Sequence, residues 1–320
     1  MENLVEIKNL KKYFSTPRGE LHAVDNVTLN IEKGKTIGIV GESGCGKSTL
    51  GKTLMRLYNP TSGEILYNGE DIANMPTKKF KKNYRSSIQM IFQDPYASLD
   101  PRMSVLQLIE EPIKVNKKGL SKAEATVKAK EMMDLVGLAA RLEGSYPHEL
   151  DGGRRQRIGI ARALSLDPDF IVCDEPVSAL DVSIQAQILN LLQDLQKERN
   201  LTYMFITHDM SVVKHISDDI AVMYLGRLIE KCPANEIFKN TIHPYSQALL
   251  SAIPIPNVHV KKERMILKGE LTSPIDPKPC CRFAARCPYT MNECMENEPE
   301  LRELKPNHFV ACHCAEQFVK

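Results

Sequence analysis

Apolar positions along this chain fall into short strand-like runs separated by longer stretches with a helical repeat. Val5-Glu-Ile-Lys-Asn-Leu10 and Ala23-Val-Asp-Asn-Val-Thr-Leu-Asn-Ile31 alternate apolar and polar residues. That period predicts half-buried β-strands of an antiparallel layer. Thr36-Ile-Gly-Ile-Val40 and Phe170-Ile-Val-Cys-Asp174 are almost wholly apolar and predict short buried strands. Thr49 to Leu57 carries the apolar stripe of a helix. Ser121-Lys-Ala-Glu124 is a capping-box pattern. It lies in a stretch, about residues 94–150, that reads as an all-helical insert. Residues about 155–235 return to alternating strands and helices, which implies an α/β fold with a parallel sheet flanked by helices on both faces. Ile253-Pro-Ile-Pro-Asn257 predicts an extended linker. Beyond it the composition turns rich in Cys and Pro. The expected division is therefore 1–252 for the main domain and 253–320 for a small extension.

The strand at residues 36–40 runs into Gly41-Glu-Ser-Gly-Cys-Gly-Lys-Ser48, which fits G-x-x-x-x-G-K-[ST]. Strand, glycine-rich loop and helix in that order form a phosphate cradle, and residues 36–92 are expected to form the unit that carries it. Successive N–H groups of Gly41, Glu42, Ser43, Gly44, Cys45, Gly46, Lys47, Ser48 and Thr49 are available to an anion, and the helix start adds partial positive charge. Lys47 is the cation for the β- and γ-phosphates, and Ser48 a hydroxyl ligand for Mg²⁺. The second apolar strand ends in Asp174-Glu175. An acid at the end of a neighbouring strand suits Mg²⁺, which nominates Asp174. Glu175 is the candidate to orient or deprotonate an attacking water.

Leu150-Asp-Gly-Gly-Arg-Arg-Gln-Arg157, opening a helix between these motifs, resembles the Leu-Ser-Gly-Gly-Gln signature of ATP-binding cassette (ABC) transporter subunits. Further elements resemble that family in order. Tyr13 is similar to its adenine-stacking aromatic, and Gln93 to the glutamine that touches Mg²⁺ and contacts the membrane subunits. Pro176 to Asp181 is similar to the loop crossing the cassette dimer, and His208 to the switch histidine at the γ-phosphate. The resemblance covers about residues 4–235. It implies a P-loop cassette with a parallel sheet core, an antiparallel β subdomain and a helical subdomain. Asp94 to Arg102, Val177 to Gln187, His243-Pro-Tyr-Ser-Gln-Ala-Leu249 and the cysteine-bearing tail resemble the oligopeptide/dipeptide importer subgroup. That resemblance implies an ATPase subunit powering peptide uptake, working with a second ATPase subunit, two membrane permeases and, indirectly, an extracellular substrate-binding protein. Nickel import by the same subgroup and a soluble ABC ATPase without a transport role are the alternatives.

One departure from the family stands out. Asp151 replaces the signature serine and Arg154 its glutamine. In a cassette dimer of this family, Asp151, Gly152 and Gly153 would cover the partner's nucleotide. An ionised Asp offers only acceptors there and repels phosphate, while Arg154 can pair with it or reach the phosphate. The expectation is two unequal ATP sites in a heterodimer; a plain helix N-cap is the other reading of Asp151.

The chain has 320 residues, a formal net charge of +2 and 42% hydrophobic residues. Near-neutral charge gives no footprint for nucleic acid. No apolar run approaches eighteen residues and the N-terminus lacks a signal-peptide pattern, so the expected location is peripheral, on the cytoplasmic face of the membrane. Six of nine cysteines fall between residues 280 and 314. Disulfides are disfavoured in a cytosolic ATPase, and the spacing lacks the usual zinc knuckle. Cys281, Cys287, Cys294 and Cys312 resemble the [4Fe–4S] ligands of the subgroup's extension. Zinc and unligated thiols remain open, as does exchange of a ligand for Cys280 or Cys314. Cys45, Cys173 and Cys232 read as packing residues.

Overall fold

A computed structural model describes residues 2–116, 119–253, 265–267, 269 and 272–319. Residues 254–257 of the expected linker lie outside the described residues. In chain order the elements begin with β1 (Asn3–Thr16), β2 (Gly19–Glu32), β3 (Thr36–Val40), α1 (Lys47–Leu54), β4 (Ser62–Tyr67) and β5 (Glu70–Asp71). Next come α2 (Thr77–Asn83), β6 (Ile88–Ile91), α3 (Val105–Asn116), α4 (Lys122–Leu135), α5 (Gly152–Leu164), β7 (Phe170–Asp174) and α6 (Val182–Arg199). They are followed by β8 (Thr202–Thr207), α7 (Met210–Ile216), β9 (Asp219–Tyr224), β10 (Arg227–Pro233), α8 (Ala234–Ile237) and α9 (Pro244–Ser251). The tail adds α10 (Asn292–Glu296), β11 (Arg302–Lys305) and β12 (His308–Val310). The chain divides into two units, Met1–Asn74 with Phe205–Lys320, and Met75–Met204.

In the first unit, the alternating sequences of β1 and β2 pair antiparallel, with Ile7 opposite Leu29 and Val5 opposite Ile31. The other edge of β1 takes β4, again antiparallel, with Ile7 opposite Ile65 and Val5 opposite Tyr67. The four-stranded order is β2-β1-β4-β5. Residues 62–71, expected within the phosphate-loop unit, therefore belong to the antiparallel sheet. Their inward positions complete the apolar face of β1, where Ile7, Ile65 and Tyr67 are all buried.

The first unit also carries the run β11-β12-β10-β9-β3. β3 and β9 are parallel, whereas β9–β10, β10–β12 and β12–β11 are antiparallel. The expectation of a parallel sheet is corrected at this side, and the reason is local. Only Leu225 and Gly226 separate β9 from β10, both with positive φ, at 44° and 83°. Two residues in that conformation make a tight hairpin; a parallel return needs a long crossover. Glu230 of β10 is fully buried and accepts from the N–H groups of Ile242 and His243 at 2.8 and 3.2 Å and pairs with His308 Nε2 at 2.8 Å. A buried carboxylate so thoroughly bonded holds β12 and the start of α9 to one strand.

Where β2, the phosphate loop and the β9–β10 turn meet, the backbones touch. A Cβ on Gly46 would lie 2.0 Å from the Ala23 carbonyl oxygen, and one on Gly226 would lie 2.4 Å from that of His22. Hydrogen bonds lock the crossing: Gly226 N–H donates to Cys45 O at 2.8 Å, and Asp25 N–H to Gly226 O at 2.9 Å.

In the second unit, β6 and β7 pair in parallel, with Ile88 opposite Phe170 and Ile91 opposite Cys173. Three helices, α3, α4 and α5, pack together, with α5 lying beyond the 94–150 stretch. Ser121 accepts from Glu124 N–H, and the Glu124 carboxylate accepts from Ser121 N–H, completing the capping box that opens α4.

Gly226→Ala should destabilise the chain by about 2–4 kcal/mol, the sum of an overpacked contact and a strained positive φ. Gly144→Ala, whose Cβ meets nothing within 4 Å, should change stability by less than about 0.5 kcal/mol. Chemical denaturation of both full-length variants checks this; equal midpoints would contradict the crossing.

Candidate nucleotide site

β3 is buried along its whole length and delivers the chain to Gly41. The loop ends at Gly46, the left-handed N-cap of α1 at φ 106°. Ser43 and Gly44 are exposed at its tip, while Cys45 and Lys47 are buried and Ser48 and Thr49 are half-buried in the first turn. Lys47, only 4% exposed, turns its ammonium back onto the loop, donating to Gly41 O at 2.8 Å and Glu42 O at 3.0 Å. A buried cation, a glycine-bent backbone and a helix start fit a polyphosphate. The Glu42 carboxylate is the one acidic group in the loop. Arg286 grips it with two nitrogens, at 2.8 and 3.2 Å.

Tyr13, on β1, stacks on His22 with ring centroids 3.8 Å apart and 15° between planes. Its hydroxyl donates to Asp25 at 2.5 Å. Asp25 also pairs with Arg282, while Arg227 bonds Glu298. Burial pushes the Asp25 carboxyl up, but the Tyr13 hydrogen bond and the Arg227 charge outweigh it and hold the group below the usual carboxylate range. His208 is exposed in the turn between β8 and α7, where Asp209 caps the helix by accepting from Ser211 N–H at 2.7 Å.

The second unit holds Gln93, the Asp151 segment, Asp174 and Glu175. β7 is buried throughout and ends at Asp174, 2% exposed. Glu175 follows in the left-handed region at φ 46°. A non-glycine residue held there stores backbone strain, a condition that concentrates at functional sites. Gln93 Nε2 donates to Glu175 Oε2 at 3.0 Å, so these two nominated residues meet directly. Asp151 is the N-cap of α5, accepting from Arg154 N–H at 2.8 Å, and its other oxygen pairs with Arg154 Nη1 at 2.9 Å. Both side chains are about half exposed, so solvent screens the pair. Behind the cap, Gly153 admits Ile184: a Cβ there would come within 2.7 Å of it, and one on Gly152 within 3.1 Å of Leu180.

In the tail, Cys294, Cys312 and Cys314 are buried and Cys280, Cys281 and Cys287 half-buried. Burial, with smaller contributions from Cys294 and Cys287, pushes the Cys281 thiol up to about 12. Burial likewise pushes the Cys312 thiol up to about 12, partly opposed by a backbone hydrogen bond at Cys314. Cys314 feels Cys294 and Cys287 and donates its S–H to Tyr289 O at 3.4 Å. Cys280 is half-buried beside them in sequence. Among the described residues, no group of three or more His, Cys, Asp or Glu side chains is arranged as it stands to hold a metal ion. Cys45, Cys173 and Cys232 are buried, each thiol pushed up by burial.

Four residues at the site carry parts that their motifs did not announce. In the sequence Arg286 stands only as the neighbour of Cys287, and Tyr245 only within His243-Pro-Tyr. Tyr245 accepts from the Glu42 N–H at 2.9 Å. Asp25 and Arg282 have no sequence signal beyond being a lone acid on an apolar strand and a base beside Cys281.

The ABC transporter family model matches residues 24–178, and that of the oligopeptide/dipeptide transporter C-terminal region matches residues 229–294. The oligopeptide transport ATP-binding protein AppF of Bacillus subtilis is 51% identical across 98% of this chain and 97% of its own. The oligopeptide transport ATP-binding protein OppF of the same organism is 49% identical across 98% of both. Among solved structures, the dimeric bacterial ABC transporter cassette MJ0796 is 30% identical with a TM-score of 0.67, over 72% of this chain and 98% of that one. A post-hydrolysis state of that cassette, bound to ADP and Pi, is 31% identical with the same TM-score and coverage. No helix among the described residues is long and apolar enough to cross a membrane. With the phosphate cradle, the strained acid after β7 and the signature helix in one chain, the protein belongs to the ABC transporter ATPases, in their oligopeptide/dipeptide branch.

Proposed function

We propose that this chain is the ATP-hydrolysing subunit of a peptide importer. It docks on the cytoplasmic face of two membrane permeases, beside a second ATPase subunit, with cargo delivered by an extracellular binding protein. What carries the catalytic half is the buried Lys47 ammonium turned onto the loop carbonyls at the start of α1. The peptide half is supported by relatives named for oligopeptide transport. Lys47 and the loop from Gly41 to Thr49 would hold the phosphates, and Tyr13, backed by His22, would take the adenine. Ser48, Gln93 and Asp174 would hold Mg²⁺, which neutralises phosphate charge. Glu175 orients and deprotonates water, and the hydrogen bond from Gln93 keeps its carboxylate from turning away. His208 senses the γ-phosphate.

Asp151 serves as both cap and ion-pair partner in its own helix. In the assembled dimer its segment would cover the partner's nucleotide with a carboxylate instead of a hydroxyl, so the two sites are unequal. The site built on Lys47 is completed by the partner's signature.

The tail holds a [4Fe–4S] cluster through Cys281, Cys287, Cys294 and Cys312. What supports it is four soft thiol donors in one short segment, Cys281 to Cys312, spaced like the ligands of the subgroup's extension. A cluster would supply metal–thiolate bonds where apolar burial is scarce. Cys280 or Cys314 is the candidate to replace one of these ligands.

In the purified transporter, Glu175→Gln should keep ATP binding and lower hydrolysis by about 10²–10⁴-fold. Lys47→Ala should weaken binding itself. Wild-type turnover by Glu175→Gln rules out the base. The isolated chain should hydrolyse ATP weakly and gain activity when a partner cassette with an intact Ser-Gly-Gly is added. Full activity alone, unaltered by Asp151→Ser, is the contrary result. Anaerobically purified protein should carry about four irons with matching acid-labile sulfide, and Cys287→Ser should lose them while ATP binding largely remains. About one zinc per chain and no iron would replace the cluster with a zinc site.

A further inference from the structure

Glu42 is held at three points. Its N–H donates to the Tyr245 hydroxyl at 2.9 Å, its carbonyl accepts from Lys47 Nζ at 3.0 Å, and its carboxylate takes the Arg286 fork at 2.8 and 3.2 Å. Two of the three partners come from more than 200 positions along the chain, on α9 and in the cysteine-bearing tail. Arg286 is itself fixed. Its guanidinium stands 6.0 Å from the Tyr224 ring centre, and Nη1 is 3.5 Å from the Tyr224 hydroxyl. Tyr224, Tyr245 and Phe283 pack edge to face with centroids 4.7–5.5 Å apart. These rings make a rigid wall behind the loop.

A carboxylate beside a polyphosphate cradle opposes the anion that the cradle exists to bind. A bidentate guanidinium cancels that charge and fixes the carboxylate's direction, which a point-charge ammonium does not. The same grip steadies the carbonyl on which Lys47 rests. We infer that Arg286 is a positioning residue for ATP binding: it neutralises and orients Glu42, so that the tail sets the affinity of the phosphate loop. This rests on the reading of the loop as an ATP site.

A double-mutant cycle on the full-length chain tests it, with Mg–ATP affinity measured by calorimetric titration. Arg286→Ala should weaken binding about tenfold when Glu42 is present, because an unpaired carboxylate then faces the phosphates. In the Glu42→Gln background the same change should cost less than about twofold, since no charge is left to neutralise. Arg286→Lys should fall between, keeping the charge and losing the fork. A merely structural role predicts the same loss in both backgrounds, and that result, or an unchanged affinity in Arg286→Ala, overturns the inference. If Arg286→Ala does not fold, Arg286→Lys carried through the same cycle is judged by the same criterion. A wild-type chain that fails to bind ATP overturns the reading of the loop and this inference together. Wild-type binding with no coupling between Arg286 and Glu42 overturns this inference alone.

Discussion

Everything in the first unit turns on three backbones passing with no side chain between them. Gly46 faces the Ala23 carbonyl and Gly226 faces that of His22, at distances only a hydrogen can occupy. The crossing seats the phosphate loop against β2 and the β9–β10 turn and fixes where α1 begins. It also explains why the loop's last glycine cannot be traded for alanine even if its backbone angles were accommodated elsewhere. Strand β3 sets the height of the loop; the crossing sets its tilt.

Charge then does what apolar packing cannot. Three carboxylates of the first unit, on β2, on the loop and on β10, each pair with a group from the tail. Arg282 meets Asp25, Arg286 meets Glu42, and His308 meets Glu230. Breaking a buried pair from one side leaves the other charge stranded, at about 3–5 kcal/mol. The tail is thus joined to that unit by the Arg282–Asp25 and Arg286–Glu42 ion pairs and the His308–Glu230 hydrogen bond, as well as by the β10–β12 ladder.

What was legible in the sequence is what is local. Gly41 to Ser48, the apolar strands before Gly41 and before Glu175, and the Ser121 capping box are contiguous patterns, and each maps onto its element. The turn at Leu225-Gly226 was harder to read, because leucine seldom adopts positive φ, and with it went the antiparallel side of the sheet. The placement of β4 beside β1 depends on pairing across more than fifty residues, which no period in the sequence encodes, and β5 follows β4 into that sheet. Arg286 and Asp25 were silent for the same reason. Their partners lie 244 and 257 positions away, and a lone arginine beside a cysteine carries no message until the chain is folded.

The span between Glu42 and Arg286 has a consequence in time. A ribosome adding about 5–20 residues per second needs roughly 12–50 s to travel from one to the other. Through that interval the loop carboxylate lacks Arg286, and Asp25 and Glu230 lack their bonds to Arg282 and His308. The nucleotide site is therefore among the last features to mature during synthesis. A newly made chain would hold ATP about tenfold less tightly until Arg286 has emerged, which defers part of its nucleotide affinity to the end of synthesis.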